Sequence, residues 1–140
     1  MVMLRYSFRI ESNRLGSIAK KLPQEIQTIV DATLADVETA AKLSMQGGKS
    51  GRLYRRGANR MHQASAAGQA PAMDYGHLTN SIQRKLYKTV IGGEVYTNSD
   101  YAEALEFGTR KMAPRPFLAP ALEAQREAFY AKLKTLDGRL

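Results

Sequence analysis

Apolar residues at Val2, Leu4, Tyr6, Phe8 and Ile10 alternate with Met3, Arg5, Ser7, Arg9 and Glu11. Alternation of period two predicts an N-terminal strand with one buried face. Met3 is the only apolar residue on the other face, which is expected to meet solvent or a partner. Leu15 to Leu22 fits a short helix, and Pro23 suits the first position of a longer one. From Pro23 to about Met45, Ile26, Ile29, Val30, Leu34, Val37, Ala41 and Leu43 or Ser44 keep the three-four spacing of an amphipathic helix. Gly47 and Gly48 end it.

The pattern then breaks. Lys49 to Ala72 carries Lys49, Arg52, Arg55, Arg56 and Arg60 with no acid among them, and Gly51, Gly57 and Gly68 interrupt it. A short strand near Arg52 to Arg56 followed by a long mobile loop is expected. Tyr75 to Ser81 fits a helical turn. Ile82 to Ile91 and Glu94 to Asn98 flank Gly92-Gly93, a two-residue hairpin signal. On the longer strand Ile82, Leu86 and Val90 share a face with Arg84 and Lys88. Tyr101 to Phe107 reads as a short helix ended by Gly108. A last helix from about Pro116 to Leu136 would bury Leu118, Ala121, Leu122, Gln125, Ala128, Phe129, Leu133 and Leu136. The fold class expected is α+β, a small mostly antiparallel sheet against two long helices. The 140 residues suit one domain.

Composition narrows the function. At 44% hydrophobic and 24% charged residues the chain is of ordinary globular type. Its apolar runs are far short of the ~20 residues of a membrane helix. The alternating, arginine-bearing start lacks the unbroken apolar stretch of a signal peptide, so the chain is expected to stay where it is made unless an assembly carries it out. There is no cysteine, which excludes disulfide scaffolds and cysteine zinc sites. A net charge of +8 points to an acidic partner, nucleic acid or protein.

Enzyme chemistry finds little support. Gly47 to Gly51 reads GGKSG, but the phosphate-loop pattern needs glycine where Leu43 stands, and a helix opening rather than closing. His62, His77 and Asp74 show no metal-ligand spacing, and Ser65 beside His62 makes no nucleophile elbow. A small hydrolase is therefore a weak rival. Glu103 and Glu106, one turn apart, are expected to face solvent. The basic segment has Tyr54 as its only aromatic, where single-strand binding platforms use several. Nonspecific phosphate contact stays open, and a basic nucleic-acid-binding protein of phage or host is the alternative function. No cofactor motif is present.

One stretch stands apart. YAEALEFGTRKMAPRPFLAPAL, Tyr101 to Leu122, runs from a short helix through Gly108 and a basic pair into Pro114, Pro116 and Pro120. It resembles a signature of small tailed-bacteriophage proteins: a tyrosine-led helix, Glu-Phe-Gly-Thr, a basic link, Arg-Pro-Phe-Leu and a Pro-Ala-Leu helix. SGRLYRRG, Ser50 to Gly57, and HQASAAGQAPAMDYGHLTNSI, His62 to Ile82, resemble further segments of the same family, so the likeness runs from about Ser50 to Leu122. The family is the gene-product-ten-like group of HK-type long-tailed phages, described as tail-completion, neck or minor tail proteins.

The resemblance implies a structural protein of the virion, present in the host cytoplasm during assembly and placed as a ring at the neck or upper tail. It implies head–tail connector and tail proteins as partners, with DNA nearby and no membrane. Gly108, Pro114, Pro116, Phe117 and Pro120 would form a rigid elbow setting the last helix, with Phe117 and Leu118 anchoring it to the sheet. A ring needs two unlike patches. Arg52, Tyr54, Arg55, Arg56 and Arg60 would meet a neighbour's Asp100, Glu103 and Glu106, with Tyr101, Leu105 and Phe107 adding apolar area.

Overall fold

The computed structural model describes residues 4–9 and 23–137. The predicted strand ends at Val2 and Ile10, and the predicted helix from Leu15 to Leu22, lie outside the described residues. Strand β1, Leu4–Arg9, pairs antiparallel with β5, Gly92–Thr97, which also pairs antiparallel with β4, Ile82–Leu86. The sheet order is β1-β5-β4. The register sets Leu4 and Ile82 across from Thr97, and Tyr6 and Arg84 across from Val95. Because side chains alternate, these residues share one face. Leu4, Ile82, Val95 and Thr97 on that face are buried.

Helix α1, Pro23–Gln46, lies on β4 and β5. It buries Ile26, Val30, Leu34, Val37 and Ala41 as the spacing requires. Its last buried side chain is Met45 rather than Leu43 or Ser44, and Leu43 is exposed. A turn of 100° per residue carries the stripe from Ala41 to Met45, four positions on, and leaves Leu43 on the far side. Thr33, polar and unpredicted in the stripe, is buried beside Leu34.

Helix α4, Leu118–Asp137, packs chiefly against α1 and touches β1. Phe117 and Leu118 are fully buried, and Ala121, Phe129, Leu133 and Leu136 are buried. Ala128 is exposed, and Leu122 and Gln125 are only half-buried. The helix leans mainly on another helix, so its buried stripe is narrower than a sheet contact would demand.

The predicted Gly92-Gly93 turn is instead the start of β5, and the connection runs through residues 87–91. Gly93 sits where α1 presses on the sheet. A Cβ there would come within 2.5 Å of Leu34 Cδ1 and 2.7 Å of the Lys85 carbonyl oxygen. The glycine thus serves close helix–strand approach rather than a turn. The mixed pattern of β4 has a similar tertiary cause. Arg84 stands on the helix-facing side at the sheet edge and reaches Asp31 at 3.2 Å and Glu38 at 2.8 Å on α1. Burial raises the Glu38 pKa, but hydrogen bonds from Lys42 and Arg84 outweigh it and hold the carboxyl below its ordinary value.

Candidate functional site: the basic hairpin and the elbow

The basic segment folds into a second, two-stranded sheet. Strand β2, Leu53–Arg55, pairs antiparallel with β3, Met61–Gln63, with Tyr54 across from His62 and Arg55 across from Met61. The expected strand is present, and part of the expected loop is its partner strand. Gly51 lies against residues 64 and 65, where a Cβ would come within 2.5 Å of both carbonyl oxygens. Its N–H donates to the Ala64 carbonyl at 2.9 Å, and the Ala64 N–H donates to Arg52 at 3.0 Å.

Two cations of the run, Arg56 and Arg60, are paired by an acid outside it. Asp74 Oδ2 lies 3.1 Å from Arg56 Nε, and its Oδ1 lies 2.7 Å from Arg60 Nη2 and 3.7 Å from His62 Nδ1. Arg60 also donates to the Asp74 carbonyl at 2.6 Å and stacks over the Tyr75 ring at 4.6 Å. The run itself holds no acid, and its partner follows it in the sequence. Arg52 and Arg55 have no carboxylate partner among the described residues: Arg52 lies 5.4 Å from the Tyr54 ring centre, and Arg55 donates to the Ala58 carbonyl.

Helix α2, His77–Ser81, follows, and α3, Ala102–Phe107, opens the elbow. Gly108 has φ 76°, in the left-handed region, and a Cβ would come within 2.8 Å of the Met112 carbonyl oxygen. A tight turn follows, in which Thr109 and Met112 exchange backbone hydrogen bonds of 2.8 and 3.3 Å. The chain then doubles back, and the Arg115 N–H donates to the Leu105 carbonyl at 2.6 Å.

This return brings Glu106 to the start of α4. Its carboxylate accepts the N–H groups of Phe117 at 2.8 Å, Leu118 at 3.1 Å and Ala119 at 2.7 Å. A helix start leaves about four N–H groups without an intrahelical acceptor. Here one carboxylate takes three, and the next position is Pro120, which has no N–H. The negative charge also sits at the positive end of the helix dipole. Glu106 is therefore buried, and the expectation that it faces solvent beside Glu103 is corrected. Glu103, Tyr101 and Phe107 are exposed, as an interface would need. Tyr6, on β1, donates its hydroxyl to Glu106 Oε1 at 3.3 Å. Burial first, then the Glu106 charge and this hydrogen bond, push the phenol up to about 12.

Hairpin, α2 and elbow enclose a cleft of about 460 Å³. Tyr54, His62, Asp74, His77, Tyr101 and Arg115 are among its lining residues. The structure thus gathers both histidines and Asp74, which the sequence spacing kept apart. Ser65 is buried, and its hydroxyl accepts from Arg115 Nη1 at 3.1 Å. Among the described residues no group of three or more His, Cys, Asp or Glu is placed to hold a metal ion. No helix of the described residues is long and apolar enough to cross a membrane. Sequence reasoning gave Arg115 no site role and gave Asp74 and Glu106 other roles, a metal candidate and a solvent-facing interface acid. Their partners are distant in sequence and carry no local spacing that could reveal them. Comparison of the chain with protein-family models, curated proteins and solved structures returns no match.

Proposed function

We propose that the chain is a structural subunit of a tailed-bacteriophage virion. It acts in head–tail joining or tail completion, as part of an oligomeric ring at the neck or the upper end of the tail. The β2–β3 ribbon is the observation that carries this reading. All three residues of β2 are exposed, and Leu53 and Met61 keep 54% and 56% of their surface in water. Arg52 and Arg55 stand beside them without carboxylate partners among the described residues. A two-stranded ribbon is marginal by itself. An apolar, cationic ribbon of this kind suits a subunit whose fold is completed by neighbouring proteins. The resemblance of Ser50 to Leu122 to phage neck and tail-completion proteins supports the same reading. Connector and tail proteins are the expected partners.

The test is a phage lacking this chain. It is expected to fill heads with DNA and to build tails that stay unjoined, and purified chain added to the extract should restore joining. Normal particles, or heads arrested before DNA filling, would argue against the proposal. Duplex-DNA binding measured across salt concentrations addresses the nucleic-acid reading, which a slope of several phosphates would favour.

A further inference from the structure

Arg115 occupies an unusual position. Its backbone belongs to the elbow, and its side chain lines the cleft between the hairpin and α2. Nη1 donates to Ser65 Oγ, but Nε is buried with no hydrogen-bond acceptor. A guanidinium presents five donors and stays charged, so a buried donor left unmatched is costly. Among the described residues no carboxylate is paired with it. Asp74, the carboxylate of the lining, already faces Arg56, Arg60 and His62. Arg56 lines the same cleft, so the site carries an excess of positive charge.

We propose that this cleft is a binding site for an acidic side chain of a partner polypeptide, with Arg115 receiving the carboxylate. Charge complementarity identifies the occupant's head group, and the walls identify the rest of it. Leu78, Leu105, Pro71 and Met45 make the surroundings largely apolar. Tyr54 and Tyr101, both partly exposed, contribute rings and hydroxyls. The volume falls in the range of pre-formed ligand sites, roughly 300–1,000 Å³. An aspartate or glutamate flanked by apolar residues satisfies both features. A nucleic-acid backbone fits less well, because phosphates are tracked by rows of exposed cations, whereas Arg115 is recessed and only partly exposed. The inference stands independently of the phage assembly role, since any partner offering such a segment would fit.

The experiment is selection from a random short-peptide display library on the full chain, with counter-selection on Arg115→Gln. Enriched peptides are expected to share one Asp or Glu next to apolar residues. Changing that acid to its amide should weaken binding by about tenfold or more, the scale of a lost charge-assisted hydrogen bond. In a nitrogen-15 spectrum, the Arg115 Nε–H signal should move with an enriched peptide and should not move with a thymidine oligonucleotide or inorganic phosphate. Ala72→Phe, which fills the cleft and leaves Arg115 in place, should block the same peptides and controls for any folding defect of Arg115→Gln. No enrichment, enrichment without a fixed acid, equal binding by both variants, or a response to the oligonucleotide in place of the peptide would each overturn the proposal.

Discussion

Glu106 and Phe117 stand 11 residues apart, and the carboxylate of the first holds the backbone N–H of the second at 2.8 Å. The Gly108 turn and the proline-rich link exist in between to make that contact possible. The elbow is a closed loop whose clasp is a buried charge. Its geometry sets where α4 begins and how Phe117 enters the core.

Glu106→Ala should destabilise the chain by about 3–5 kcal/mol, because buried N–H groups lose their only acceptor. Glu106→Gln keeps one acceptor oxygen and should lose about 1–3 kcal/mol. Urea unfolding of the three proteins measures both. A Glu106→Ala variant within about 1 kcal/mol of the parent would show that the clasp is dispensable.

Tyr6 links the clasp to alkaline pH. Its folded pKa of about 12 lies above the ordinary phenol value of 10.0, so the neutral phenol is the form that folding favours. That contribution is complete below pH about 10 and is lost as pH rises through about 12. Tyr6→Phe should flatten this limb of a stability–pH profile while leaving the neutral region nearly level. Parallel profiles for the two proteins would exclude the linkage.

Gly93→Ala should cost about 1–3 kcal/mol, as overpacking forces Leu34 and the Lys85 carbonyl aside. Thermal unfolding alongside Gly48→Ala, at an open position where no atom lies within 4 Å of the added Cβ and φ is not positive, separates crowding from the general cost of replacing glycine. If Gly93→Ala melts with the parent, the helix–strand contact is looser than the distances state.

Asp74 ties Arg56 and Arg60 to the segment leading into α2. Asp74→Ala should therefore speed tryptic cleavage after Arg55, Arg56 and Arg60, even though the parent is expected to be cut in this segment first. Mass spectrometry of early fragments gives the order of cuts. Unchanged rates at all three sites would mean that the ion pairs do not restrain the hairpin.

For ring assembly, Arg52 and Arg55, which have no carboxylate partner among the described residues, are the cations to reverse, because Arg56 and Arg60 are held by Asp74. Asp100 and Glu103 are exposed, whereas Glu106→Lys would break the clasp rather than probe an interface. Arg52→Glu with Arg55→Glu should block head–tail joining, and adding Asp100→Lys with Glu103→Lys should partly restore it. Exposed pairs contribute only ~0–1 kcal/mol each, so partial rescue is the expected scale. A complementation assay with all variants folded decides it, and absence of rescue would remove this pairing.

Local order determined much of the architecture. Period-two alternation placed β1 through Leu4 and Tyr6, and three-four spacing placed α1 and most of the buried side of α4. These signals survive in sequence because each element repeats its core-facing position at its own period. Tertiary structure alone decided the rest. Gly93 looked like a turn until Leu34 pressed on it, and Asp74 became the partner of a basic run only when the hairpin folded back. Glu106 read as one of two solvent-facing acids; only the elbow's return carried it to the N–H groups of Phe117, Leu118 and Ala119, away from Glu103. Such pairings depend on where the chain comes back to itself, and residue spacing holds no record of that.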